Sequence, residues 1–261
     1  MTSRSAFDEL RTAADGFADD RWPRLMCTRC KRSDLIANGI NILESAASKH
    51  DHDDPRWEPD FIRGHFHGTL RCSAATCAEI AVVAGDYSVG YAKDDGGYVN
   101  LLTLRYIAPP AELIDFPAGT PDSVIKRTHE AIGLVLQNPN AAANRVRAAV
   151  EELLTQLRIP RTQISKSRRH RLTTHKRLER LEVKFPGPAV LLMAVKWIGN
   201  DGSHESSSLL TREVLDGLEL FGQALNLIYN KRPKELDAIA RRINRRKTSK
   251  LPDRRQLRVP F

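Results

Sequence analysis

The four cysteines constrain the fold of this 261-residue chain most, because they occur as two closely spaced pairs that are distant in sequence. Cys27 and Cys30 form the first pair, and Cys72 and Cys77 form the second. Such pairs are typical of a tetrahedral Zn²⁺ site in which the fold brings two tight cysteine turns together. Four thiolates leave no open coordination position, so the predicted zinc is structural. Free thiols or a redox-active pair are the alternatives.

The sequence around the second pair has the alternation and turn residues of β-strands. Strands are predicted in the run before Cys72, around residues 80–91 and at 98–107, with a turn at 93–97 between the last two. A strand also explains His65 and His67, which we do not assign as ligands. We therefore predict that residues 1–116 form a short N-terminal helix and a small antiparallel, zinc-ribbon-like sheet.

From residue 117 the hydrophobic pattern has the period of α-helices. Helices are predicted from 120 to about 137, at 141–157 and 172–185, and on both sides of a polar segment within 189–229; residues 161–171 are predicted to be a loop. Residues 117–230 would thus form an all-α bundle, followed at 231–261 by a basic helix and a tail. The predicted fold class is α+β.

Positive charge is concentrated in two segments of the chain. Residues 158–184 contain ten lysines and arginines against two acids, and residues 231–261 contain twelve against three. This pattern favours a polyanionic partner, with nucleic acid first and an acidic protein second. Solvated segments without a partner are the alternative. No run is long enough to span a membrane and no signal-peptide core is present, so we expect a cytoplasmic protein without a membrane partner.

The polar segment within 189–229 contains the candidate catalytic residues. If the first helix continues through it, Lys196, Asn200 and His204 lie on one helical face, at i, i+4 and i+8. An imidazole could then move a proton while a cation and an amide hold a phosphodiester. The alternative is that the turn-forming sequence from Gly199 to Gly202 stops the helix at Gly199, with Asn200 in a left-handed cap and His204 in a solvated loop.

The order of these features resembles the domain-of-unknown-function family DUF4145. The resemblance is carried by Pro121 and Val124, by the sequences HEA at 129–131 and RAAVEELL at 147–154, and by KWIGN at 196–200 with the histidine at 204. It extends over residues 117–229, and the cysteine-rich sheet is similar to the zinc-ribbon leader of many members.

This family is similar to the HEPN superfamily of helical bundles, which includes metal-independent RNA-cutting nucleases, and its members are often found with prokaryotic defence genes. The resemblance implies His204 as general acid/base, Lys196 as the charge that stabilises the transition state and Asn200 as the group that orients the phosphate. Arg147 and Glu151 would orient this set. The chain departs from the HEPN motif at Gly199, where an arginine would stand.

Two main functions are therefore expected. One is a homodimeric HEPN-type endoribonuclease of a defence or toxin system, acting on RNA rather than DNA. The other is a non-catalytic, zinc-stabilised adaptor that binds nucleic acid or a defence-system protein. A purely structural oligomerisation module is a third reading, which needs only the apolar helix faces.

Overall fold

The computed structural model describes residues 5–92, 96–165, 168–201, 209–230 and 232–246. The N-terminal half contains a five-stranded antiparallel sheet, in the spatial order β1-β5-β4-β3-β2. Its strands are β1 (Phe17–Ala18), β2 (Leu35–Glu44), β3 (Arg63–Cys72), β4 (Ile80–Ala92) and β5 (Gly97–Ala108). The predicted strands correspond to β3, β4 and β5, so the antiparallel sheet is confirmed.

Strand β2 was not predicted, because its sequence lacks clean alternation. Only Leu35 is fully buried in this strand, and the pairing with β3 shifts register between Asn38 and Asn41. Gly39 lies in that interruption with a φ of 69°, which glycine adopts without steric cost. Pairing with β3, rather than the local pattern, makes this segment a strand.

One face of the sheet is covered by helix α1 (Ala6–Asp15). Ser5 caps the helix by accepting a hydrogen bond from the backbone of Asp8, and the Asp8 carboxylate accepts one from the backbone of Ser5 in return. The inner face of the sheet and the facing side of α1 bury a shared set of apolar side chains: Phe7, Leu10, Phe66, Leu70, Val83, Leu102 and Leu104. Burial on one face only explains why β3 and β4 show the alternating pattern.

A short helix, α2 (Ala46–His50), and two 3₁₀ turns (Asp51–Asp53 and Pro59–Phe61) connect β2 to β3. The C-terminal half is mainly helical. Its helices are α3 (Asp122–Ile132), α4 (Pro139–Gln156), α5 (Thr174–Glu182), α6 (Pro186–Asp201), α7 (Thr211–Tyr229) and α8 (Arg232–Arg246).

One prediction for this half was wrong. The predicted loop at residues 161–171 contains a hairpin of β6 (Thr162–Ser165) and β7 (Arg168–Arg171), so the bundle is not all-α. Strand β7 is exposed at every position and has no apolar face, which removes the periodicity that identifies a strand. The structure also contradicts the alternative in which the long apolar helix stops at Gly199, because α6 continues to Asp201.

The helical core lies between α4, α6 and α7. It is formed by Val146, Val150, Leu153, Leu154, Leu192, Val195, Val214, Leu218, Phe221 and Leu225. Helix α1 also contacts this half: the Arg11 guanidinium lies 2.6 Å from both Asp216 and Glu219 of α7. The buried side chains of the sheet and the helices therefore form one continuous core, and the predicted domain boundaries stay predictions. Among the described residues, no helix combines the length and apolarity needed to cross a membrane.

Candidate functional site

The two cysteine pairs come together at one end of the sheet. The four sulfur atoms lie within 4.8 Å of one another. The distance from Cys27 Sγ to Cys77 Sγ is 3.8 Å, and from Cys30 Sγ to Cys72 Sγ it is 3.7 Å. Four sulfurs placed about 2.3 Å from a central Zn²⁺ in tetrahedral geometry lie about 3.8 Å apart, whereas a disulfide requires about 2.05 Å. The cluster therefore has the dimensions of a four-thiolate zinc site.

Each pair lies on a tight turn that ends in a left-handed residue. Lys31 follows the first pair with a φ of 51°, and Ala78 follows the second with a φ of 50°. The first turn is closed by a hydrogen bond from Lys31 N to Cys27 O, and the second by one from Ala78 N to Ala74 O. These turns aim both sulfurs of a pair at the same point, as a metal requires.

Backbone groups around the cluster prepare it for a cation. The N–H of Arg32 donates to the Cys30 sulfur and lowers the pKa of that thiol to about 6. Burial instead raises the pKa of Cys72 to about 12. A cation at the centre would favour both thiolates, because metal ligation requires the deprotonated form.

The left-handed residues give a prediction on stability. Ala78→Gly is expected to stabilise the protein by about 0.5–1 kcal/mol, because an L-residue pays about 1–2 kcal/mol for this backbone conformation and glycine does not. Ala37→Gly is the control, because Ala37 is an exposed residue of β2 whose φ is not positive. Glycine there should destabilise the protein by about 0.5–1 kcal/mol. Urea unfolding of both variants measures the two changes. An equal loss of stability in the two variants would contradict a strained backbone at Ala78.

A second candidate site is a cleft of 690 Å³ between α4, α5, α6 and the base of the β6–β7 hairpin, called the basic cleft below. It is lined by Arg147, Glu151, Arg161, Arg171, Leu172, Thr173, Thr174, His175, Arg177, Lys196 and Asn200. Four of the five predicted catalytic residues are in this set. Five cations and one carboxylate make the lining strongly electropositive.

The fifth predicted residue, His204, lies outside the described residues. Helix α6 carries Lys196 and Asn200 on one face up to Asp201, which is the periodicity expected from the sequence. The helical assumption behind this set is therefore confirmed as far as Asp201, and the placement of His204 stays a prediction.

Gly199 has a packing role that explains the missing arginine. A β-carbon built at this position would lie 2.8 Å from Cβ of Arg147 and 3.3 Å from the carbonyl oxygen of Ala143. Helices α4 and α6 thus approach each other too closely for a side chain here. The cations of this region come instead from Arg147, on the facing helix, and from Lys196, on the preceding turn of α6.

Arg147 and Glu151 form a loose pair at the cleft, with Nε and Oε1 3.9 Å apart. The same Glu151 oxygen accepts a 2.8 Å hydrogen bond from the Thr174 hydroxyl, which ties α4 to the start of α5. Both side chains of the pair are more than one-third exposed, so the pair itself adds little stability. The hydrogen bond from Thr174 holds the Glu151 carboxylate on the α5 side. The Arg147 guanidinium is therefore able to contact a ligand.

Lys196 is buried to 9 % exposure, and its Nζ lies 3.2 Å from the ring centroid of Trp197. Within the described residues no carboxylate pairs with Lys196, and this cation–π contact holds its charge instead. The Trp197 ring itself is 53 % exposed and adds an aromatic surface beside the cleft.

His175 is a cleft residue that the sequence analysis did not identify. Its Nε2 lies 3.3 Å from Oε1 of Glu179, and its ring centroid lies 6.1 Å from that of Trp197. The buried Nδ1 has no hydrogen-bond partner in the described part of the chain. The spacing to Glu179 is the only sequence signal, and i, i+4 pairs of this kind are common on helix surfaces.

The fold and these two sites define an α+β protein with a candidate four-cysteine metal centre and a basic cleft in its helical half. Residues 129–247 match the family Domain of unknown function (DUF4145), and residues 15–101 match the family Domain of unknown function (DUF8608). The first match confirms the predicted similarity for the helical half, and all four cysteines fall within the second. No curated protein and no solved structure matches the chain.

Proposed function

We propose that this protein binds RNA through the basic cleft, as part of a prokaryotic defence or toxin-type system. The observation that carries the proposal is the lining of the cleft, where the described residues supply five cationic side chains and one carboxylate, that of Glu151. Backbone phosphates are the ligands that such a surface neutralises, with release of counterions.

An aromatic side chain beside the cleft supports a single-stranded ligand. Trp197 is half exposed and adjoins Lys196, so a base can stack on the indole while its phosphate meets the cations. In a duplex the bases are already stacked on one another and are not free to do this. We propose RNA rather than DNA on the resemblance to HEPN nucleases, and a homodimer on the same ground.

The second candidate is a metal-independent endoribonuclease, favoured because Lys196, Asn200, Arg147 and Glu151 line one cleft. An RNA 2′-hydroxyl would attack the adjacent phosphorus, forming a 2′,3′-cyclic phosphate and releasing a 5′-hydroxyl. His204 would remove the proton from the nucleophile or supply one to the leaving oxygen. The cations would stabilise the charge that develops on the phosphorane-like state. Zinc takes no part in these steps and would hold the sheet.

Binding is expected to fall steeply with salt and to depend on the cleft. Arg147→Ala should weaken binding of a single-stranded RNA about tenfold and lower the slope of log K against log salt by about 0.7, because one phosphate contact is lost. Lys126→Ala removes the same charge from the exposed surface of α3, outside the cleft, and is the control. Fluorescence anisotropy at several salt concentrations measures both. Equal losses in the two variants would reject the cleft as the binding site.

The two proposed functions, endoribonuclease and non-catalytic adaptor, predict different RNA products. Incubation of RNA without added divalent metal is expected to give 2′,3′-cyclic phosphate ends if the protein is a nuclease. His204→Ala should then abolish cleavage and preserve binding. Intact RNA after incubation with the wild-type protein, together with salt-dependent binding, would establish the adaptor form.

A further inference from the structure

We propose that Arg161, Arg171 and Arg177, here called the arginine cluster, form a binding site for a phosphate monoester, such as the terminal phosphate of an RNA strand. The three arginines also line the basic cleft that is proposed to bind RNA, so this inference deepens that function, and its assignment to an RNA end rests on it. None of the three arginines is one of the candidate catalytic residues Lys196, Asn200 and His204.

Two members of the cluster converge on a single hydroxyl group. Arg161 Nε and an Nη of Arg177 each donate to Oγ1 of Thr155, at 3.1 Å in both cases. The hydroxyl proton is donated to the carbonyl oxygen of Glu151 at 2.9 Å, so both lone pairs of Oγ1 accept from arginine. Two like charges are thereby held close together through one neutral acceptor.

The third member is brought beside them by the base of the hairpin. Arg161 immediately precedes β6, and Arg171 is the last residue of β7, paired with Thr162. The chain closes there through a 2.9 Å hydrogen bond from Leu172 N to Arg161 O. All three guanidinium side chains belong to residues that line the cleft.

The cluster has no direct ion-pair partner among the described residues. Within the described ranges, no carboxylate lies within 4.0 Å of any of its three guanidinium groups; the cleft carboxylate, Glu151, is 3.9 Å from Arg147 instead. Burial lowers the pKa of Arg177, and the positive charges of Arg161 and Arg171 lower it further, while the carboxylates of Glu151 and Glu152, which lie beyond ion-pair distance, oppose this only in part. A bound anion would relieve this repulsion.

Arg177 also retains an unused donor. The residue is only 4 % exposed, and it donates to the carbonyl oxygens of Glu151 and Ile159 as well as to Thr155. Its buried Nε–H has no partner in the described part of the chain. An unpaired buried donor costs about 1–3 kcal/mol, and an acceptor bound in the cleft that Arg177 lines could reduce that cost.

The charge of the site favours a monoester over an internal phosphodiester. A phosphodiester carries one negative charge, whereas a phosphate monoester carries about −1.5 to −2 near neutral pH and offers three acceptor oxygens. The positive N-terminal end of α5 lies in the same wall, through Thr173 and Thr174, and adds to the attraction. Three guanidinium groups and a helix N-terminus match the more highly charged group.

The test compares RNA oligonucleotides of one sequence that carry a 5′-phosphate, a 3′-phosphate or only hydroxyl ends. A terminal phosphate is expected to increase affinity about tenfold at one of the two ends. Arg171→Ala should reduce that ratio to about one. Arg168→Ala is the matched control, because Arg168 is an exposed arginine of the same strand that points to the opposite face and does not line the cleft. It should preserve the ratio.

Competition with inorganic phosphate and with a nucleoside monophosphate separates the sources of the monoester. Phosphate-ended RNA that binds at least tenfold tighter than the mononucleotide supports a strand end. A mononucleotide that binds through Arg171 while hydroxyl-ended RNA does not bind would retain the phosphate site and reject the RNA-binding function. If the three RNAs bind with equal affinity to the wild type, and again with equal affinity to Arg171→Ala, the phosphate site is overturned and RNA binding is left in place.

Discussion

Loss of a metal ion from the four-cysteine cluster is expected to lower the melting temperature of this protein by more than 10 °C. Four thiolates bound to one metal would hold the end of β3 against the segment that precedes β2, two parts of the chain that are 42 residues apart at Cys30 and Cys72. Binding of structural zinc contributes about 10–16 kcal/mol in peptides that fold only with metal. Here the sheet also has its own apolar core, so we expect a loss of about 5 kcal/mol, which corresponds to roughly 10–20 °C.

The measurement is a thermal melt of Cys72→Ser beside the wild type, with metal content determined by mass spectrometry. One zinc per chain is expected in the wild type, and a chelator should reproduce the effect of the variant. Ser73→Ala, which changes the exposed neighbouring residue, is the control and should retain both metal and stability. A wild-type protein that contains no metal, and whose melting does not change with chelator, would contradict the four-thiolate site.

Gly199→Ala is expected to destabilise the protein by about 2–3 kcal/mol. The new methyl group would lie 2.8 Å from Cβ of Arg147, so α4 and α6 would have to separate. Overpacking in a close helix–helix contact costs about 1–3 kcal/mol, and this contact involves backbone and a β-carbon rather than a flexible chain end. The arginine of the HEPN motif at this position should be tolerated still less.

Gly187→Ala is the matched control, because it makes the same change in the same helix. A β-carbon there would meet only Cδ1 of Leu227, at the ordinary contact distance of 3.8 Å. This variant should change stability by about 1 kcal/mol or less, because the higher helix propensity of alanine is offset by the restriction that Pro188 places on the residue before it. Urea unfolding gives both values. A Gly199→Ala protein as stable as Gly187→Ala would show that the close approach of the helices is not required.

Elements that are specified by local sequence patterns were predicted, whereas elements that depend on contacts between distant residues were not. Strands β3, β4 and β5 and the core positions of α4 and α7 were predicted because burial of one face imposes a local period. Strand β2 and the β6–β7 hairpin were missed because they lack that period and form by pairing with distant residues or with each other. Arg161, Arg171 and Arg177 could be counted as basic residues, but nothing local shows that two of them share Thr155.

The sequence by itself determined the α+β class, the four cysteines as one ligand set, and the shared face of Lys196 and Asn200. Each of these depends on spacing along the chain, which the geometry of a turn, strand or helix converts directly into position. Only the tertiary structure decided that α4, α5, α6 and the hairpin enclose one cleft, and that Gly199 is a packing residue. The approach of separate elements is set by how their side chains fill the space between them, which spacing along the chain does not specify.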